Sequence, residues 1–221
     1  FHAPATALRL QELADACDAA KQAVPPRAPT VMCVADDKPV DLPVHLRGSH
    51  LTLAAQKTPR GVLSALAASL GREARVALRV NPDVDAGTHP YISTGLRENK
   101  FGIAHDRAVQ AYRTAAGLPH LRITGIDCHI GSQITELAPF LAALDRVLEL
   151  VDALQTAGIP IEHLDLGGGL GIRYRDESPP EPRELLGAVF RQVRAWAQAR
   201  SRAVPEVLFE FGRAVVGNAG L

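Results

Sequence analysis

Three consecutive glycines, Gly167, Gly168 and Gly169, directly follow a segment at 161–166 that is predicted as a buried strand. Glycine lets backbone N–H groups approach an anion without interference from a side chain. The run therefore predicts either a phosphate-binding turn or no more than a flexible connection between a strand and a helix. The segment lacks the GK[ST] of a Walker motif and does not satisfy GxGxxG, so the glycines alone leave both interpretations open.

Two further segments combine glycine with groups that can transfer protons or bind charge. His129 and Ser132 offer an imidazole and a hydroxyl for ring stacking or proton transfer, with a purely structural histidine as the alternative. Glu210 could pair with a protonated ring nitrogen of a ligand, while Gly212 and Arg213 offer N–H groups and a cation to a phosphate or carboxylate. A buried ion pair between Glu210 and Arg213 is the alternative there.

Helical and strand-like segments alternate along the chain. We predict helices over 6–24, 61–70, 105–116, 137–157 and 182–199, and strands over 30–35, 51–54, 75–80, 121–129, 161–166 and 206–210. Repeated helix-then-strand order predicts an α/β fold with a parallel sheet, either an open doubly wound sheet or a (β/α)8 TIM-type barrel. The polar clusters fall at strand carboxyl ends, which favours the barrel, and about six strand candidates against eight predict an incomplete one. A strand-like run at 214–216 follows the last cluster.

The composition is that of an ordinary globular protein, with 47% hydrophobic and 22% charged residues and a formal net charge of zero. Scattered Lys and Arg predict no nucleic-acid partner, and no apolar run approaches the ~20 residues of a membrane span. The first residues have no signal-peptide pattern, so we expect a cytoplasmic protein. The three cysteines lie far apart, and the polar loop at 83–89 lacks metal-ligand spacing, so neither a disulfide nor a metal site is predicted.

Four segments together resemble the fold-type-III pyridoxal-phosphate decarboxylases, and most closely the diaminopimelate decarboxylase family. They are RVNPDVDAGTHPYISTGLRENKFGI (79–103), HIGSQI (129–134), LDLGGGLGIRY (164–174) and EFGR (210–213), in the family's order. The resemblance covers about residues 62–221 and implies an alanine-racemase-like barrel that binds pyridoxal phosphate. We therefore divide the chain into a poorly matching segment, 1–60, and a cofactor-binding barrel portion, 61–221.

The resemblance implies a role for each matching polar residue. The residues expected at the cofactor phosphate are Gly167, Gly168, Gly169, Ser132, Gly212 and Arg213. His129 would stack on the pyridine ring and Glu210 would contact its nitrogen, so these two are the catalytic candidates. Arg213 would also face the carboxylate of the amino-acid substrate, and Arg79 is a weaker candidate near the cofactor.

The implied reaction is decarboxylation of meso-diaminopimelate to L-lysine, a step of lysine biosynthesis, by an enzyme that is a homodimer in complete family members. The HIGSQ segment favours this substrate over ornithine, while arginine decarboxylases come close, so a related arginine or ornithine decarboxylase is an alternative. A non-catalytic pyridoxal-phosphate homeostasis module and a degenerate remnant are the others.

The sequence also departs from the family pattern. The family's Schiff-base lysine lies in an Ala-x-Lys-Ala-Asn-like segment, roughly a hundred residues before the Arg-x-Asn-Pro motif. Here Lys38 is the one candidate, and its Asp-Asp-Lys-Pro context does not match. Phe211 stands where proline is usual, and the family's C-terminal β-domain is expected to be absent after Arg213. We therefore expect a chain truncated at both ends and inactive alone.

Overall fold

The computed structural model describes residues 30–33, 64, 67–68, 71–85 and 102–217. Residues 64 and 67–68 are helical and lie within the helix predicted at 61–70. The helix predicted at 6–24 and the strand predicted at 51–54 lie outside the described residues. So do all four lysines of the chain, Lys21, Lys38, Lys57 and Lys100.

Six parallel strands form the sheet in the part of the chain that the structure describes. They are β1 (Thr30–Cys33), β2 (Ala74–Asn81), β3 (Ile103–Ala104), β4 (Leu121–Asp127), β5 (His163–Asp165) and β6 (Glu206–Leu208). The strand order is β1-β2-β4-β5-β6, and β3 pairs with the carboxyl end of β2. Apart from the two-residue β3, each described strand lies beside the one before it in sequence, without the reversal of order that defines a doubly wound sheet. The described strands therefore form the wall of a β/α barrel, as the polar clusters had favoured.

Four helices accompany this wall in the described part of the chain: α1 (His105–Ala116), α2 (Ala138–Thr156), α3 (Pro182–Ala199) and α4 (Gly212–Val216). Helices α1 and α3 match their predicted bounds, and α2 is one residue shorter at each end. Proline at the first helical position of α3 has the φ angle that a helix start needs. Helix α2 packs between α1 and α3, which places the three long helices side by side on one face of the sheet.

Side chains alternate between the two faces of the strands. Leu78, Ile126 and Leu164 are partners across β2, β4 and β5, and each is fully buried in the core shared with the helices. The residues that follow them in sequence therefore point to the opposite face, into the barrel. That interior face carries the polar groups described below.

Helix α1 is fixed to the sheet by a buried tyrosine. A register shift between β2 and β4 leaves Thr124 as an extra residue of β4, a β-bulge. The Tyr112 hydroxyl lies 2.9 Å from the Gly125 carbonyl oxygen and 3.1 Å from that of Leu78, and it accepts the Leu78 N–H at 3.3 Å. Burial raises the pKa of Tyr112 well above its ordinary value, so the hydroxyl stays neutral.

The strand-like interpretation of residues 214–216 is wrong. These residues belong to α4, and the Gly217 N–H donates to the Arg213 carbonyl oxygen at 2.7 Å, which closes a helical turn. The two valines are exposed there, so their β-branched character reflects neither a strand nor a core position. Strand β3 was missed because its two residues are too few to show a periodic pattern.

The later strands are also shorter than predicted. Strand β4 ends at Asp127 rather than at His129, and β6 ends at Leu208 rather than at Glu210. The polar residues that follow each strand leave the ladder and enter the loops at its carboxyl end. Among the described helices, none is long and apolar enough to cross a membrane.

Candidate functional site

The loops that follow β4, β5 and β6 are hydrogen-bonded to one another. The Ile134 N–H donates to the Gly169 carbonyl oxygen at 2.8 Å, and the Glu210 N–H donates to that of Gly167 at 2.8 Å. The HIGSQI, LDLGGGLGIRY and EFGR segments therefore converge at one edge of the sheet, as expected for the carboxyl ends of neighbouring parallel strands.

The glycine run is required by close packing between these loops. A Cβ atom on Gly168 would lie 2.3 Å from the Glu210 carbonyl oxygen, and one on Gly169 would lie 2.1 Å from that of Gly131. Gly169 also has a φ of +99°, in the left-handed region. The interpretation of the run as only a flexible connection is therefore wrong, because neighbouring backbone surrounds it.

Two of the three glycine N–H groups already have acceptors within the protein. The Gly167 N–H donates to Asp165 Oδ1 at 2.9 Å, and the Gly168 N–H donates to His129 Nδ1 at 3.2 Å. Within the described residues, no acceptor is found for the Gly169 N–H. Gly169 is therefore the glycine of the run whose N–H has no acceptor among the described residues, while the N–H groups of the other two bind an aspartate and a histidine.

His129 is a neutral imidazole with a defined tautomer. Its Nδ1 accepts the Gly168 N–H, so the ring proton of the neutral form resides on Nε2. Burial, and secondly the positive charge of Arg79, lower the pKa of His129 below its ordinary value. At neutral pH the ring can therefore stack on an aromatic ligand or donate from Nε2 without adding a charge.

Arg213 is held by two neutral hydroxyl groups. Its Nη1 donates to the Tyr174 hydroxyl at 2.7 Å and its Nη2 donates to Ser132 Oγ at 3.0 Å. The guanidinium carbon also lies 5.8 Å from the centre of the Tyr174 ring. Across the described ranges no carboxylate forms an ion pair with Arg213, so the alternative of a Glu210–Arg213 pair is not realised.

A row of charged residues lies on the interior face of the strands, below these loops. Arg79, Asp127 and Asp165 are partners across β2, β4 and β5. Burial, then the charges of Asp165 and Glu210, raise the pKa of Asp127 to about 8, against the opposing effect of Arg79. Burial also raises the pKa of Asp165 to about 6, although its hydrogen bond from Gly167 acts in the opposite direction. At neutral pH Asp127 is therefore mostly protonated and Asp165 mostly ionised.

Three of these residues, Tyr174, Asp127 and Asp165, were not predicted as site residues. Asp127 lies inside an apolar run, and a single acidic residue on a predicted buried strand was the one sequence signal that could have indicated its role. Tyr174 is the last residue of a quoted motif, and nothing in its spacing indicates that it reaches Arg213. The remaining predicted residues, His129, Ser132 and Glu210, do lie in the converging loops.

The donors at this edge suit a phosphate. They are the Arg213 guanidinium, the Ser132 and Tyr174 hydroxyls and the Gly169 N–H. Gly212 lies beside them with no atom within 4 Å of the position of a Cβ, so the space there is open. No group of three or more His, Cys, Asp or Glu side chains is placed to hold a metal in the described part of the chain.

The described parallel strands, with helices packed on one face, form part of a β/α barrel, and donors for a phosphate lie at the carboxyl ends of its strands. This is the architecture of an alanine-racemase-like pyridoxal-phosphate-binding domain. The chain belongs to the family of pyridoxal-dependent decarboxylases, whose pyridoxal binding domain matches residues 61–217. The family and the cofactor predicted from the sequence, pyridoxal phosphate, are thereby confirmed.

Solved and curated relatives agree with this assignment. The diaminopimelate decarboxylases of Vibrio cholerae and Pseudomonas aeruginosa are 57% and 58% identical to the chain over 159 residues, which is 72% of this chain and 37% of each relative. The crystal structure of diaminopimelate decarboxylase from Helicobacter pylori complexed with L-lysine matches with a TM-score of 0.63 and 33% identity, covering 71% of this chain and 38% of that one. The chain thus spans just over a third of the length of these relatives.

Proposed function

We propose that this chain provides cofactor-binding residues of a cytoplasmic, homodimeric enzyme that decarboxylates meso-diaminopimelate to L-lysine. The observation that carries the proposal is the Arg213 guanidinium, which is held by Ser132 and Tyr174 and forms no ion pair within the described residues. The identity of 57–58% to two diaminopimelate decarboxylases supports the choice of reaction.

Pyridoxal phosphate, when bound, supplies the electron sink that accepts the electron pair left behind when a carboxylate leaves an amino acid. The residues that would hold its phosphate are Arg213, Ser132, Gly212 and Gly169. Glu210 would keep a proton on the ring nitrogen, because a carboxylate stabilises the adjacent cation. The neutral ring of His129 would stack on the cofactor ring and exclude water from that face.

The buried row below the loops supports the charge of Glu210. Asp127 and Asp165 both face the barrel interior, and two ionised carboxylates there would disfavour a third negative charge on Glu210. Because Asp127 is mostly protonated at neutral pH and Arg79 offsets Asp165, the row carries little net charge. A cofactor with a cationic ring nitrogen beside Glu210 would then meet little opposing charge from the row.

Catalysis by the chain alone is not expected. The described residues contain no lysine, and the one candidate in the sequence, Lys38, lies in a context unlike that of the family. We expect the purified chain to bind pyridoxal phosphate and to release no carbon dioxide from meso-diaminopimelate. Carbon dioxide release that disappears in Lys38→Ala would contradict this expectation.

A graft tests the proposed reaction. Residues 61–217 would replace the matching segment of the Vibrio cholerae enzyme, and release of labelled carbon dioxide would be measured with meso-diaminopimelate, L-arginine and L-ornithine. We expect turnover of meso-diaminopimelate that is strongly reduced by Arg213→Ala. Arg191→Ala, a change of an exposed arginine on α3, should retain turnover. A folded graft that acts on arginine or ornithine instead would refute the proposed substrate.

A further inference from the structure

Tyr174 lies beside the proposed cofactor site, and its hydroxyl is hydrogen-bonded to the Arg213 guanidinium. The hydroxyl accepts a hydrogen bond from Arg213 Nη1 at 2.7 Å, while Ser132 Oγ accepts one from Nη2 at 3.0 Å. Ser132 and Tyr174 come from the loops after β4 and β5, and Arg213 lies in α4, the helix that follows β6. The Arg213 guanidinium is thus hydrogen-bonded on two sides, by Tyr174, which is 39 residues away in sequence, and by Ser132, which is 81 residues away.

A compact turn fixes the position of Tyr174. The Glu177 carboxylate accepts the Tyr174 N–H at 3.0 Å and the Arg175 N–H at 2.8 Å, and Arg173 Nε donates to the Glu177 carbonyl oxygen at 3.0 Å. The hydrogen bonds from the Arg175 and Tyr174 N–H groups lower the pKa of Glu177, which keeps the carboxylate ionised at neutral pH. The backbone that carries Tyr174 is therefore held in place although the residue itself is 60% exposed.

The two hydroxyls orient Arg213 without neutralising it. A free arginine side chain loses rotamer entropy when it is ordered, so a partner that orders it in advance favours ligand binding. A carboxylate partner would order the side chain too, but it would also compensate the charge that a ligand needs. Two of the five guanidinium N–H groups are used by the hydroxyls, so others are left for an anion.

We propose that Tyr174 is a positioning residue that, together with Ser132, holds the Arg213 guanidinium as a receptor for an oxyanion at the cofactor site. The proposal rests on the proposed function, because the oxyanion is either the phosphate of the cofactor or a carboxylate of the substrate. Both anions present the oxygen geometry that a guanidinium binds with two parallel hydrogen bonds.

Paired ligands that differ in one anionic group test the proposal on the purified chain. Pyridoxamine 5′-phosphate and pyridoxamine share a fluorescent ring, differ only in the phosphate, and lack the aldehyde that would react with lysines. Tyr174→Phe removes the hydroxyl and keeps the ring. If Arg213 holds the phosphate, we expect this variant to bind pyridoxamine 5′-phosphate about three- to tenfold more weakly, the loss of one hydrogen bond, and pyridoxamine unchanged.

A second pair of ligands identifies the other source of the oxyanion. Calorimetry of the chain saturated with pyridoxamine 5′-phosphate would compare meso-diaminopimelate with cadaverine, a diamine that has no carboxylate. If Arg213 receives the substrate instead, Tyr174→Phe weakens only meso-diaminopimelate. Ser132→Ala should act in the same direction as Tyr174→Phe on whichever pair responds.

The controls separate positioning from stability. Tyr112→Phe removes the other described tyrosine hydroxyl, which binds the Leu78 and Gly125 carbonyl oxygens in the core, and it should lower stability while leaving both ligand ratios unchanged. Unchanged ratios in Tyr174→Phe, in a chain that binds pyridoxamine 5′-phosphate normally, would overturn the role of Tyr174 and leave the cofactor site intact. Failure of the unaltered chain to bind pyridoxamine 5′-phosphate would overturn the proposed function and this role together.

Discussion

Gly168→Ala should destabilise the protein through a contact with backbone. The added Cβ would lie 2.3 Å from the Glu210 carbonyl oxygen and 3.1 Å from its carbonyl carbon. Ordinary carbon–oxygen contacts begin at about 3.3 Å, so the overlap is roughly 1 Å. The obstacle cannot rotate away, and displacing Glu210 would break its 2.8 Å hydrogen bond to Gly167. Overpacking costs about 1–3 kcal/mol and a lost hydrogen bond about 1 kcal/mol, so we expect a loss of about 2–4 kcal/mol.

Gly212→Ala is the matched control, because no atom lies within 4 Å of its added Cβ. We expect its free energy of unfolding to stay within about 0.5 kcal/mol of the unaltered chain. Urea unfolding can be followed by the fluorescence of Trp196, the one tryptophan of the sequence, which lies on α3 and donates to Asp152 of α2. An unchanged urea midpoint for Gly168→Ala, or an equal loss in Gly212→Ala, would refute the packing explanation of the glycine run.

Three further predictions concern buried groups. Tyr112→Phe should cost about 1–3 kcal/mol in urea unfolding, because the Leu78 N–H loses its acceptor in the interior. For Asp127 the folded-state pKa of about 8 exceeds the unfolded value, so the folded state binds more protons and stability should fall as pH rises from about 4 to 8. Asp127→Asn should remove this fall, which amounts to at most about 4 kcal/mol at pH 7, in urea titrations at pH 5, 7 and 8. Gly125→Ala would place a Cβ 2.1 Å from His163 Nε2, so the obstacle is a side chain. Adding His163→Ala should therefore restore the urea midpoint of Gly125→Ala. No such rescue is possible for Gly168→Ala, because the obstacle there is backbone.

The regular part of the fold could be predicted because its signals are local. The amphipathic spacing of 105–116 and 182–199 gave both helices at their observed bounds. The barrel followed from where the polar clusters fall relative to the strands, not from any single motif. The helix at Gly212–Val216 could not be predicted in this way, since β-branched residues favour strands and a single turn is set by its neighbours.

The sequence allowed us to predict which residue types form the site, but not which of these residues bind each other. His129, Ser132 and Arg213 were recognisable as groups that bind or transfer charge. That Arg213 pairs with Tyr174 rather than with Glu210 depends on a contact across 39 residues and on the turn built by Glu177. Asp127 was hidden in an apolar run because its raised pKa, and so its compatibility with burial, depends on the burial itself and on charges from β5, from β2 and from the loop after β6.

Two charges at the carboxyl edge form no ion pair within the described part of the chain, the carboxylate of Glu210 and the guanidinium of Arg213. They are separated by two residues in sequence, yet Arg213 turns toward Ser132 and Tyr174 rather than back to Glu210. An ion pair between them would satisfy both groups and leave nothing for a ligand. Kept apart, they match a ligand with a cationic ring nitrogen at one end and a dianionic phosphate at the other. The hydroxyls of Ser132 and Tyr174 maintain this separation, since they hold the guanidinium without supplying the charge that would neutralise it.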